Sequence, residues 1–189
     1  MNKTLYIITG PSGVGKSTVA QELLKRRPTL KKVVTCTTRK MREGETDGVS
    51  YHFLDRKTFQ SLIAEKALFE WDEHYDNFYG IRNADVTQLM EEGSDVLFVV
   101  DIAGAKTIKE SHPEAVLFFI EPETTDQLLQ RIEKRDQGTT TGLEERKASI
   151  HREMAFAELA DHRVMNKEGK LDETVENIHK IMGSLDETR

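Results

Sequence analysis

The chain has 189 residues, a single cysteine, 37% apolar and 32% charged positions, and a formal net charge of −6. That length can bury one hydrophobic core without disulfides or a structural metal, and the lone Cys36 excludes a disulfide framework and suits a reducing, cytoplasmic setting. The acidic balance argues against a general nucleic-acid binder, no apolar run nears the roughly 20 residues of a membrane helix, and Leu5 to Ile8 is too brief for a signal peptide.

Leu5 to Thr9 is a short, mostly apolar run ending at Gly10, the pattern of a buried parallel strand. Val19, Leu23 and Leu24 then recur at helical spacing up to Arg27, where Pro28 stops the helix. Residues 32–82 differ in character. They hold β-like pieces at Lys32 to Thr37, Tyr51 to Leu54 and Phe69 to His74, a turn-rich Glu43 to Gly48, a helix near Asp55 to Glu65, and a turn at Asn77-Phe78-Tyr79-Gly80. Buried strands are expected again at Asp95 to Asp101 and Ala115 to Ile120, with a helix at Ala103 to Glu110 between them.

Thr124 with Gln127 three residues on reads as a capping box opening a helix through Leu128, Leu129 and Ile132. The polar, glycine-bounded stretch Asp136 to Gly142 is flanked by arginines and reads as a mobile lid. Leu143, Ile150, Met154 and Ala157 lie on one side of the helix after it, and Asp172 is expected to cap a last helix through Val175, Ile178 and Met182. Strands alternating with helices predict an α/β fold with a parallel sheet covered on both faces. The expected division is a single domain 1–189, with core 1–34, 83–134 and 148–189, an α+β insertion 35–82 and a lid 135–147.

Gly10-Pro11-Ser12-Gly13-Val14-Gly15-Lys16-Ser17, followed by Thr18, matches the phosphate-loop pattern G-x-x-x-x-G-K-[ST] between an apolar strand and an amphipathic helix. Glycines let successive N–H groups point at phosphate oxygens, and the helix N-terminus adds positive partial charge at the same spot. Lys16 offers a compact cation, and the Ser17 hydroxyl suits Mg²⁺. A nucleoside triphosphate such as ATP is therefore expected here. Asp101 closes the run Val96 to Val100 at the carboxyl end of a strand, where ligands bind in open α/β sheets.

Positive charge gathers twice, at Lys25, Arg26, Arg27, Lys31, Lys32, Arg39, Lys40 and Arg42, and at Arg131, Lys134, Arg135, Arg146, Lys147 and Arg152. Within the first group, Arg39 and Arg42 lie three apart between Thr35 and Tyr51. Two guanidiniums with hydroxyl donors suit a phosphate monoester dianion, which points to a second anion site for the acceptor of a phosphoryl group.

From Leu5 to about Ile178 the chain resembles the guanylate kinase family. The likeness lies in the phosphate loop, the block Thr37-Thr38-Arg39-x-x-Arg42-x-Gly44-Glu45-x-x-Gly48-x-x-Tyr51, the segment Asn77 to Gly80, Asp101 with Gly104, and the arginine-flanked lid. The resemblance implies a P-loop kinase core with a five-stranded parallel sheet, and transfer of the ATP γ-phosphoryl group to GMP or dGMP with Mg²⁺. It implies that Thr35, Arg39, Arg42, Tyr51 and Tyr79 hold the GMP phosphate and that Glu70 binds the base edge next to Asp101, with Gly80 and Ile81 alongside. Lys16, Arg42, Arg135 and Arg146 would serve the transferring group, with Arg131 assisting, and Asn166 would lie on the adenine side. A carboxylate at Glu70 accepts from guanine N1–H and the 2-amino group, whereas the N1 lone pair of adenine repels it.

Three positions depart from the family pattern: Ile81 replaces Ser or Thr, Val99 an acidic residue, and Ala103 a glutamine. An unpaired guanine O6 at Ile81 costs about 1–3 kcal/mol unless Arg82 supplies a donor. These departures keep a different nucleoside monophosphate open as acceptor, and a non-catalytic binding module of the same fold stands as a third reading.

Overall fold

The computed structural model describes residues 3–74, 76–135 and 143–187. Five strands, β1 (Leu5–Thr9), β2 (Leu30–Lys32), β7 (Asp95–Val99), β8 (Val116–Pro122) and β9 (His162–Asn166), form an all-parallel sheet in the order β2-β7-β1-β8-β9. Both faces are covered, which is why β1 is apolar at every position but its last. Tyr6 and Ile8 point to one face, where they meet Val19 and Leu23 of α1 (Lys16–Arg26), Ile132 of α5 (Thr125–Arg135), Ile150 of α6 (Leu143–Ala155) and Ile178 of α7 (Leu171–Glu187). Leu5 and Ile7 point to the other, against Val86 of α3 (Asn83–Glu91), Ala105 and Ile108 of α4 (Ile102–Ser111), and Phe156 of the short 3₁₀ turn Phe156–Leu159.

A second, four-stranded sheet has the order β4 (His52–Phe53), β3 (Cys36–Thr37), β6 (Asn77–Arg82), β5 (Leu68–His74). One face of it packs Cys36, Phe78 and Leu68 against Phe59 and Ile63 of α2 (Arg56–Ala64). Asp55 caps α2, its carboxylate accepting from Thr58 N at 2.8 Å. The two sheets are joined through Phe69, whose ring stacks on Phe98 of β7 at 5.1 Å and on His112 at 4.4 Å.

Several expectations need correction. The Lys32 to Thr37 strand is two short strands in different sheets, because Leu30 is buried in the main core while Cys36 belongs to the small one. Asn77 to Gly80 is not a turn but the start of β6, paired antiparallel with β5. Neither α3 nor β9 is marked by a clear pattern in the sequence. Asp172 does not cap α7; it sits in the first turn and pairs with Arg26 at 2.7 Å. The Thr124 hydroxyl does accept from Gln127 N at 3.2 Å, yet the Gln127 side-chain oxygen finds no partner, so only half of the capping box forms. The first basic cluster is also divided. Arg26 and Arg27 tie α1 to α7 through Asp172, Glu176 and Asp186.

Among the described residues no helix is long and apolar enough to cross a membrane. Phe98 is fully buried and carries the contact between the sheets. Phe98→Ala is expected to cost about 3–5 kcal/mol of unfolding free energy in urea titrations, with a lower midpoint.

Candidate active site

β1 delivers the chain into the phosphate loop at its carboxyl end. Gly10 has φ +145, and a Cβ there would lie 2.3 Å from the Ile120 carbonyl oxygen of the neighbouring β8, so only glycine lets the loop leave the sheet here. Gly15, at φ +100, is the N-cap of α1, with a hypothetical Cβ 2.7 Å from Asn166 Nδ2. Lys16 curls back over the loop, its Nζ donating to the Gly10 carbonyl at 2.6 Å and the Pro11 carbonyl at 3.1 Å. Ser12, Ser17 and Thr18 are exposed at the mouth, while Val14 is buried beneath.

Two contacts to this loop have no counterpart in the sequence pattern. Glu153 of α6 accepts from Ser12 N–H at 3.3 Å through Oε2 and from the Ser149 hydroxyl at 3.0 Å through Oε1. A carboxylate thus rests on a backbone amide suited to a phosphate oxygen. Asn166, expected on the adenine side, is 7% exposed; its Nδ2 donates to the Val14 carbonyl at 2.8 Å and its Oδ1 accepts from the Thr174 hydroxyl at 3.2 Å. Both ends of its amide engage the scaffold, so Asn166 supports the loop from below.

A cavity of about 320 Å³ opens beside this loop, walled by Thr35, Tyr51, Glu70, Asp72, Tyr79, Val99, Val100, Asp101 and Gly104. Its position follows from the sheet register. β7 pairs with β1 through Ile8 and Val99, and the Thr9 hydroxyl donates to the Val100 carbonyl at 3.0 Å, so the strand end that walls the cavity adjoins the strand end that begins the phosphate loop. The other wall is the second sheet. A bulge between Leu68 and Glu70 sets Glu70 opposite Ile81, and Asp72 opposite Tyr79.

Glu70 is 6% exposed. Burial, with smaller contributions from Asp101 and Asp72, pushes its carboxyl up to about 8. Gly104 makes room for it: a Cβ there would stand 3.1 Å from Glu70 Oε2. Asp101 is the N-cap of α4, accepting from Gly104 N–H at 2.9 Å, a structural role it combines with lining the cavity.

Arg39 lies 5.4 Å over the Tyr51 ring and pairs with Glu45 through both guanidinium ends, at 2.7 and 3.1 Å. That pairing raises Arg39 and holds Glu45 below the usual carboxylate range. Glu45 also accepts from Arg42 N–H at 2.8 Å, folding the segment back, and Arg42 itself is exposed.

Other expected residues fall elsewhere. Ile81 is fully buried with Val33 and Val86 and does not line the cavity, because its place on β6 carries it into the main core. Gly80 is buried on the opposite face, where a Cβ would meet the Glu70 carbonyl oxygen at 2.8 Å and Trp71 Cβ at 2.9 Å; it spaces the strands without touching the cavity. Arg82 is held by Asp85 at 2.7 and 2.8 Å and lies 2.9 Å from His52 Nε2, and is not a cavity residue. Cys36 is buried, and burial pushes its thiol up to about 11, as suits an inert core residue. The side chains of Arg135 and Arg146, and residues 136–142 of the expected lid, lie outside the described residues.

Sequence reasoning missed Asp72, Val100 and Gly104 as cavity residues. Asp72 was within reach, since it stands two positions from Glu70 on one strand and so shares its face. The raised Glu70 acid has a consequence for stability. From about pH 4.5 to about 8 the folded chain retains a proton that the unfolded chain has lost, so this group's stabilisation is present below that window and is lost as pH rises through it. Urea titrations are expected to show stability falling by at most about 1.4 kcal/mol per pH unit across it, a fall that Glu70→Gln removes.

A family model described as guanylate kinase matches residues 2–185. A guanylate kinase of Clostridioides difficile is 39% identical over 166 residues, covering 88% of this chain and 81% of that one. A guanylate kinase of Synechocystis is 37% identical, with 95% and 93% covered. The crystal structure of guanylate kinase from Anaplasma phagocytophilum superposes with a TM-score of 0.77 at 28% identity, over 96% of this chain and 85% of that one. With strand order, phosphate loop and acidic cavity already pointing the same way, the chain belongs to the guanylate kinase family.

Proposed function

We propose that the chain transfers the γ-phosphoryl group of ATP to GMP, giving ADP and GDP. The observation that carries this is the placement of a cavity containing the buried Glu70 carboxylate beside the phosphate loop, on adjacent strand ends of one sheet. Three pieces divide the work in this reading: the core around residues 1–34, 83–134 and 148–189 binds ATP, residues 35–82 bind GMP, and residues 135–147 supply Arg135 and Arg146.

The ATP phosphates lie along the backbone amides from Ser12 to Thr18. A phosphate oxygen displaces the Glu153 carboxylate from Ser12 N–H, and Lys16 swings from the Gly10 and Pro11 carbonyls to the outer phosphates. Among the described residues no cluster of three or more His, Cys, Asp or Glu is placed to hold a metal, while the Ser17 hydroxyl is exposed at the start of α1. The Ser17 hydroxyl would ligate Mg²⁺ brought in with the nucleotide. When bound, the ion neutralises charge on the β- and γ-phosphates.

GMP enters the cavity base first. Ionised Glu70 accepts from guanine N1–H and the 2-amino group, and its burial makes a mismatched base costly. The monophosphate rests at the other end, on Thr35, Tyr51, Tyr79, Arg39 and Arg42. A phosphate oxygen of GMP attacks the γ-phosphorus, the bond to the bridging oxygen breaks, and the electron pair leaves with ADP. Lys16, Arg42, Arg135 and Arg146 offset the negative charge that spreads over the transferring group. Ile81 lies in the core and so is not a wall that leaves O6 unpaired.

A coupled ADP-release assay with GMP, dGMP, AMP, UMP and CMP tests the reading. Fastest turnover is expected with a guanine acceptor, and a faster rate with any other base refutes it. Lys16→Ala is expected to lower kcat a hundredfold or more while GMP still binds in calorimetry. Because binding needs the carboxylate, the KM for GMP is expected to fall as pH rises from 6 toward 8, by up to tenfold per unit, and to level off above.

A further inference from the structure

Two levels can be read along the cavity wall made by the second sheet. At the deeper, Glu70 stands opposite Ile81, which is fully buried. One pair further out, Asp72 stands opposite Tyr79. Across the sheet from Tyr79, the Tyr51 ring lies 6.3 Å away between centroids, with Arg39 over it. Residues two apart on a strand are roughly 6.6 Å apart on one face, so Asp72 lies one step from the base contact Glu70 and level with Tyr79, one of the proposed phosphate contacts. In a nucleoside monophosphate the part between base and phosphate is the sugar.

The chemistry of Asp72 excludes its neighbours' tasks. A carboxylate is an acceptor only and repels a phosphate dianion, so it cannot join Tyr79 and Arg39 in binding one. A sugar hydroxyl is a neutral donor, and a hydrogen bond from it to an ionised acceptor is among the stronger kinds. The carboxylate is also held in place: its Oδ1 accepts from Glu73 N–H at 2.7 Å, and the side chain is half-buried in the cavity wall. An oriented acceptor loses less freedom on binding than a mobile one.

We propose that Asp72 selects the sugar of the acceptor nucleotide, its carboxylate accepting a hydrogen bond from the ribose 2′-hydroxyl; this rests on the reading of the cavity as the GMP site. The chain then discriminates GMP from dGMP at a residue separate from the base contact.

Initial-rate kinetics with GMP and dGMP on the full chain, for wild type, Asp72→Ala and Asp72→Asn, test it. Wild type is expected to favour GMP over dGMP on the order of tenfold in kcat/KM. Asp72→Ala is expected to bring that ratio to about one through a raised KM for GMP, with kcat little changed. Asp72→Asn, which keeps an oxygen acceptor, is expected to fall between. Equal losses for both nucleotides in Asp72→Ala, a preference that survives the substitution, or a wild type indifferent to the 2′-hydroxyl each overturn the proposal. A wild type that phosphorylates neither nucleotide refutes instead the GMP-site reading on which it rests.

Discussion

The parallel pairing of β1 with β7 decides where chemistry can happen in this molecule. Because Ile8 lies against Val99, the strand that opens into the phosphate loop and the strand that walls the acidic cavity end side by side. The Thr9 hydroxyl on the Val100 carbonyl locks that edge. Phosphoryl transfer asks little covalent chemistry of a protein; it asks that two phosphates be brought into line and that their charge be offset. A shared sheet edge offers rigid elements for the first requirement, and in the proposed reading the loop amides, Lys16 and the arginines between β3 and β4 meet the second.

Glu70 shows how much of the fold serves one carboxylate. It reaches the cavity because a bulge in β5 turns it there, it has space because residue 104 is a glycine, and it is anchored because Phe69 beside it stacks on Phe98 and His112. Burial raises its pKa to about 8, and in the proposed reading the donors of a guanine edge offset the cost of ionising it. Stability and specificity pull apart at this residue: the group proposed to recognise the base is one whose charge the folded chain resists.

Elements whose signals are local and redundant are legible in the sequence. The strand, phosphate loop and helix from Leu5 to Arg26 appear as expected because the apolar run, the glycines and the helical spacing all agree. β6 resembles a turn in sequence, since Asn77 and Gly80 are turn formers; Gly80 is there because the facing Trp71 and Phe59 leave no room for a side chain. β9 escapes notice because it is an edge strand with polar residues at His162, Arg163 and Asn166. At the site, Glu70 and Tyr79 can be named from the family likeness, but whether Ile81 faces the cavity or the core depends on where the cavity ends. Asn166 and Glu153 meet the phosphate loop from more than 130 residues away, a tertiary contact that no spacing encodes.

Direct transfer, as proposed, requires donor and acceptor to lie side by side along this sheet edge. The most direct test is calorimetric titration with adenosine and guanosine joined through a chain of five phosphates. Two sites on one sheet edge predict one molecule bound per chain, displaceable by either ATP or GMP, with affinity well above that of either nucleotide alone. Two molecules bound per chain, or displacement by only one of the nucleotides, would contradict direct transfer between adjoining sites.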